Sequence, residues 1–322
     1  MKIASAALFC TSLLLASTAS AQSYPSRPIR LLVPLAAGST ADILSRTLGN
    51  ELTKEFGQQI IVDNKPAAGG TVAMAELARS PADGYTISFA SQGTLVFNQA
   101  LYAKPGYDSL KDFAPIMLIG GVSNVMVVPP TSTAASPADV IAQAKAKPGA
   151  LTFSSGGSGT SHHLSGVLFG QLTGTDLLHI PYKGAPQGIF AVMAGEVAMG
   201  FFNTPTVITQ IKDGKLKALA VTSRERSTLL PQLPTLQESG VKDYEVNTWF
   251  GFVAPAGTPP EVIARLHAAI GKAVAQPAIR DKLAAQGFDL VPNQPPAVLM
   301  ELLRKDMEKW PAVIKASGAK VD

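Results

Sequence analysis

Glycine, serine and threonine gather directly behind apolar, strand-like runs at four places in this chain, each time where a helical pattern opens. Ile29 to Val33 runs into Ala37-Gly38-Ser39-Thr40, and Ile60 to Val62 into Ala67-Ala68-Gly69-Gly70-Thr71. Leu151 to Phe153 runs into Gly156-Gly157-Ser158-Gly159-Thr160-Ser161, and Leu178 to Ile180 into Lys183-Gly184-Ala185. Small residues let main-chain N–H groups come close to a ligand, and a helix N-terminus adds unpaired donors and a partial positive charge. The chemistry this favours is the holding of an anion. Two such loops come early and two after a long gap, which suggests two lobes facing one another across a cleft.

Enzyme signatures fail in turn. Gly156 to Thr160 approaches a nucleophile elbow but has Thr160 where the closing glycine belongs. A hydrolase using Ser158 or Ser161 with His162 or His163 is the rival reading. The dinucleotide fingerprint is broken, and no phosphate loop ending in Gly-Lys-Ser/Thr is present. The four histidines, His162, His163, His179 and His267, include no HExxH pair, so neither a metal site nor a cofactor is expected. What remains are uncharged donors: Ser39, Thr40, Thr71, Ser91, Gln92, Ser158, Thr160 and Ser161. For each of them a turn or cap role competes with ligand contact. Asp42 is read as a partner of nearby backbone donors, and His163 as a packed or capping residue. Phe201 and Phe202 are expected to fill a sheet core. Tyr182 is a candidate to cover a ligand, Lys183 to supply a charge at the cleft, and Asn203, ending a strand, to read the ligand's far end.

The elements that must position these residues alternate between strand and helix, which argues for an α/β architecture with mostly parallel sheets. Helical spacing of Ile43, Leu44, Leu48 and Leu52 predicts a helix from Asp42 to Phe56. Tyr85 to Ala90, Ile116 to Ile119, Val125 to Val128, Leu216 to Thr222 and Trp249 to Ala254 read as strands. Ser136-Pro137 marks a helix start. Thr258 with Glu261 predicts a capping box and a helix to about Ala275. Helices from Pro277 to Gln286 and from Pro296 to about Ser317 complete the chain. The expected division is residues 22–123 with 250–322 as one lobe and 124–249 as the other, with a ligand at the strand ends between them.

Residues 1–21 carry Lys2, an apolar stretch from Ala4 to Leu15 and an Ala19-Ser20-Ala21 site, the layout of a cleaved secretory signal peptide. Cys10, the one cysteine, lies inside it, so disulfides and thiol chemistry are not expected in the mature chain. The formal charge of +4 drops to about +3 once Lys2 is removed, and scattered Lys and Arg leave no nucleic-acid footprint. With 322 residues and 46% hydrophobic composition, the chain suffices for two ordinary domains.

In order along the chain, Tyr24-Pro25-Ser26-Arg27-Pro28-Ile29, Val33-Pro34 through Asp42, Asn64-Lys65-Pro66 through Thr71 and Ser80 to Thr86 resemble one family. So do Asp112-Phe113-Ala114-Pro115-Ile116, Gly157 to Leu164, Pro181-Tyr182-Lys183-Gly184, Leu233-Pro234-Thr235 and Trp249 through Pro259. The family is the Bug group of periplasmic solute receptors of tripartite tricarboxylate transporters. The resemblance implies a two-lobed, type II Venus flytrap with two crossover strands. It implies a small organic carboxylate held through main chain and water with little help from charged side chains, by Ala37, Gly38, Ser39 and Thr40, then Gly69, Gly70 and Thr71, then Ser158, Gly159, Thr160 and Ser161. It also implies the Gram-negative periplasm and service to a membrane permease; the chain is expected to be a monomer, and a sensory subunit that docks on a membrane kinase is a third reading. Ser39 and Ala67 stand where this family has glycine, which puts the shape of both loops in question.

Overall fold

The computed structural model describes residues 24–291 and 293–316. The signal-peptide segment, Cys10 and Ser317 lie outside the described residues.

Strands β1 (Ile29–Val33), β2 (Ile60–Asn64) and β3 (Thr86–Ser91) run parallel in the order β2-β1-β3. Leu31, Leu32 and Val33 are all fully buried, as expected of a strand covered on both faces. Helix α1 (Thr40–Phe56) connects β1 to β2, and α2 (Thr71–Ala78) connects β2 to β3. A short π-helical turn, Gly93–Phe97, follows β3 and continues into α3 (Asn98–Leu101).

Next comes β4, a single strand of 16 residues, Phe113–Val128, where the sequence suggests two. Gly120 and Gly121, between the two expected strands, mark a close approach of backbones: a Cβ on Gly121 would lie 2.8 Å from Thr248 O. Up to Ser123 the strand pairs with β9 (Asn247–Pro255), and from Asn124 it pairs with β7 (Met199–Asn203) and β8 (Lys217–Val221). It therefore belongs to both sheets. In the second sheet, β5 (Leu151–Ser155) lies parallel to β6 (Leu177–Pro181) and to β7. The covering helices are α4 (Pro137–Ala146), α5 (Ser161–Thr173), α6 (Ala185–Met193) and α7 (Thr204–Lys212). Ser136 caps α4 by accepting the Asp139 N–H, with Pro137 in the first turn.

The chain returns to the first sheet through β9, which is antiparallel to β3 and β4. Helices α8 (Pro260–Ala275), α9 (Pro277–Ala284) and α10 (Pro296–Ala316) finish it, with the two-residue β10 (Asp289–Leu290) beside β4. The expected capping box at α8 does not form. The helix begins at Pro260, so Thr258 falls outside the cap position and its hydroxyl closes the turn on Pro255 O at 2.8 Å. Phe201 and Phe202 are fully buried core residues.

Candidate functional site

Within each sheet the parallel strands deliver their following loops to the same end, so the glycine and hydroxyl clusters converge at strand C-termini. In the loop after β1, Ser39 sits in extended conformation (φ −75°) as the N-cap of α1, its hydroxyl accepting the Asp42 N–H at 3.4 Å. Serine is thus unstrained at this position. Ala67 is likewise extended (φ −99°). Asp42 receives the Gly38 N–H at 2.9 Å and Arg46 Nε at 2.9 Å. Burial disfavours its charge, but hydrogen bonds from Arg46, Gly38 and Asn64 outweigh this and hold the carboxyl below its usual range. It is a structural anchor for its loop, and the Gly38 N–H is spent on it.

The loops of the two sheets meet in a tight seam. A Cβ on Gly69 (φ +62°) would stand 2.5 Å from Ser158 O, and one on Gly159 (φ +80°) would collide with Asn98 Oδ1. Only glycine permits so close an approach. On the same seam, Thr40 Oγ1 donates to Asn203 Oδ1 at 3.0 Å. Gly156 N–H is donated to His162 Nδ1, so that ring carries its proton on Nε2, directed at Asn203 Oδ1 at 3.1 Å. With two donors on its oxygen, Asn203 presents Nδ2 to Asn124 Oδ1 and, at 3.4 Å, to Ser161 Oγ. One amide side chain links β7, α5, the shared strand β4 and the first turn of α1.

Inside the seam is a small cavity of about 20 Å³, room for roughly one water. Leu35, Gly69, Ser91, Gly93 and Thr94 line it from the first sheet, and Gly159, Thr160, Ser161, His162 and Asn203 from the second. Thr248 and Phe250 of β9 close the remaining wall. Thr248 Oγ1 is buried without a hydrogen-bond partner among the described residues. Among the described residues, no lysine, arginine or carboxylate lines the hollow. Its polarity comes from hydroxyls, amides and the opening turn of α5.

Residues 44–319 match the profile described as the tripartite tricarboxylate transporter family receptor, TctC. The chain belongs to this receptor family. Protein BugT of Bordetella pertussis is 34% identical to it over 308 residues, spanning 95% of this chain and 94% of BugT. Rpa4515 of R. palustris, solved with adipate, is 31% identical, with a TM-score of 0.88 over 92% of this chain and 98% of its own. MatC (Rpa3494) of Rhodopseudomonas palustris, solved with bound malate, is 27% identical, with a TM-score of 0.86 over 90% and 100%. This chain has the same α/β fold as these periplasmic binding proteins.

In this TctC receptor two histidines hold the glycine loop. His163 Nδ1 accepts the Gly159 N–H at 3.3 Å, and its ring stacks on His179 with centroids 4.1 Å apart. Burial lowers the pKa of His162 and of His163 to about 4; burial, with His163 beside it, lowers that of His179 to about 3. All three are neutral at pH 7. Neither His162 nor His163 is bonded to a serine hydroxyl as the hydrolase reading requires. His179 Nε2 does lie 2.7 Å from Ser155 Oγ, but Ser155 is fully buried.

Of the residues singled out in sequence, Gly69, Ser91, Gly159, Thr160, Ser161 and Asn203 line the TctC cavity, with Thr40 hydrogen-bonded to the last of them. Ser158 meets Gly69 across the seam. Gly70 packs on Pro34, and the Thr71 hydroxyl donates to Ala68 O, a local bond. Ala37 and Gly38 are exposed, and Ser39 is occupied as a cap. Gln92 turns away to Asp306. Tyr182 packs on the core of the second sheet, while Lys183 is exposed, and neither reaches the cavity. Gly93 and Thr94 were missed although Ser91-Gln92-Gly93-Thr94 repeats the strand-to-small-loop pattern. Thr248 and Phe250 carry no such signal, because a wall built from mid-strand residues looks like any other strand.

Proposed function

We propose that this chain is a periplasmic receptor, freed of residues 1–21, that closes its lobes on a small organic carboxylate and presents it to a membrane permease. The lobes are residues 22–123 with 250–322, and 124–249. The observation that carries this reading is the seam: loops from both sheets surround one hollow with uncharged donors and without a charged side chain. Thr40, Gly69, Ser91, Gly159, Thr160, Ser161, Asn203 and Thr248 are the proposed contacts. The solutes held by Rpa4515 and MatC, adipate and malate, suggest the class of ligand.

Hydrogen bonds to a charged group contribute about 1.5–3 kcal/mol each, so roughly four of them approach the ~8 kcal/mol of a micromolar complex before ordering costs. No helix among the described residues is long and apolar enough to cross a membrane. A hollow of about 20 Å³ cannot take a dicarboxylate, so the seam must part to admit one and settle around it. Binding then transforms nothing; the histidines stay neutral and engaged with the main chain. Isothermal titration against mono-, di- and tricarboxylates and aromatic acids, adipate and malate included, tests the reading. At least one acid is expected to bind at micromolar concentration, and silence across the set would refute it.

A further inference from the structure

Behind the cleft, on the far side of β9, lies a second and larger cavity of about 470 Å³. Among the residues lining it are Gln92, Gly121, Thr248, Trp249, Asp306 and Trp310. Thr248 faces both hollows. Asp306, on α10, is 8% exposed, and its Oδ2 accepts two hydrogen bonds, from Gln92 Nε2 and from Trp249 Nε1, both at 2.7 Å. The two donors belong to different walls of the solute cleft. Gln92 lies between Ser91 and Gly93, which line it, and Trp249 lies between Thr248 and Phe250, which also do.

We propose that Asp306 is a positioning residue for solute capture, tying the turn after β3 and the strand β9 to the C-terminal helix so that the cleft walls keep their spacing. Asp306 takes hydrogen bonds from two elements far apart in the chain, more than a local stabilising contact needs. As a tie it serves well, because bonds to an ionised acceptor are short and directional. Gln92 itself has no role at the ligand in this arrangement; it is buried, its side chain is directed at Asp306, and it transmits position through its main chain. The proposal rests on the cleft being the solute site.

Because both bonds end on one oxygen, an amide can stand in for the carboxylate: Asp306→Asn keeps an acceptor for both donors, whereas Asp306→Ala keeps none. Three measurements apply to each variant. Calorimetry with adipate and malate is expected to show Kd raised tenfold or more in Asp306→Ala and within about threefold of the parent in Asp306→Asn. Trp249 and Trp310 are the chain's two tryptophans and both line the rear cavity, so their emission should change on solute addition in the parent and in Asp306→Asn, and in Asp306→Ala only at tenfold or more higher solute concentration. Amide hydrogen exchange, run without solute, should quicken at residues 91–94 and 247–249 in Asp306→Ala alone, with 29–33 still protected.

Unchanged Kd and unchanged exchange in Asp306→Ala would overturn the proposal, as would Asp306→Asn failing as badly as Asp306→Ala. If Asp306→Ala does not fold, Trp249→Phe removes one of the two bonds and keeps a ring; it should raise Kd severalfold, and no change there would count against the tie equally. If the parent binds no acid at all, the proposed function falls, while the exchange arm still decides whether Asp306 holds the two walls.

Discussion

A single hydroxyl gives the sharpest test of how the cleft recognises its solute. Thr248 Oγ1 is buried with no hydrogen-bond partner among the described residues, which costs free energy in the folded chain unless something arrives to use it. Thr248→Val removes the hydroxyl at nearly constant volume. Thermal stability should be unchanged or slightly raised, while affinity for the bound acid should fall by about 1–2 kcal/mol, roughly fivefold to thirtyfold. Paired calorimetry and thermal melts check both signs, and a loss of stability without a loss of affinity would assign Thr248 to packing. Asn203 illustrates the other kind of site residue. Its oxygen is saturated by Thr40 and His162, so it acts as the fixed point on which a helix start, a strand end and the opposite loop agree.

At the scale of elements, the start of α5 depends on neutral imidazoles. The Nδ1 atoms of His162 and His163 accept main-chain N–H groups of the glycine loop, a role a protonated ring cannot fill. Their folded pKa values near 4, and near 3 for His179, lie below the ~6.5 of an unfolded histidine. Between those limits the unfolded chain binds more protons, so this contribution to stability is complete above about pH 6.5 and is lost as pH falls toward 4. Urea unfolding at pH 7.5, 6 and 5 should show stability declining by about 1 kcal/mol per pH unit for each ring in the lower part of the range. A flat profile would mean the rings titrate normally. The loop itself was legible in sequence, because strand, small residues and helix follow in order. So was the helix start at Ser136, where a short polar side chain precedes the first turn, whereas α1 begins at Thr40, two residues before the expected Asp42. The single strand β4 was not, since two glycines between apolar runs read equally as a turn or as a place where another backbone comes close. Lys183 and Gln92 lie away from the hollow for a related reason: sequence places a residue on a loop but not the direction of its side chain, and one is exposed to water while the other points to α10. Thr248 and Phe250 gave no local signal at all.

At the scale of the molecule, closure depends on how closely two main chains approach. Gly69→Ala places a methyl group where the seam leaves 2.5 Å to Ser158 O, so the jaws should stop short while each half folds as before. Small-angle scattering of the parent should show contraction on solute addition, and the variant should show little, with affinity reduced about tenfold or more and a melting midpoint lowered by only a few degrees. Full contraction in the variant would show that the seam yields. The same backbone seam bears on how such a receptor changes its solute over time. Where glycine backbone from both sheets closes the hollow, few point substitutions are tolerated in the closing loops, while side chains around the remaining wall are freer to vary. A lineage can therefore exchange one nutrient for another by altering a handful of wall residues, without rebuilding the handle by which every such nutrient is held.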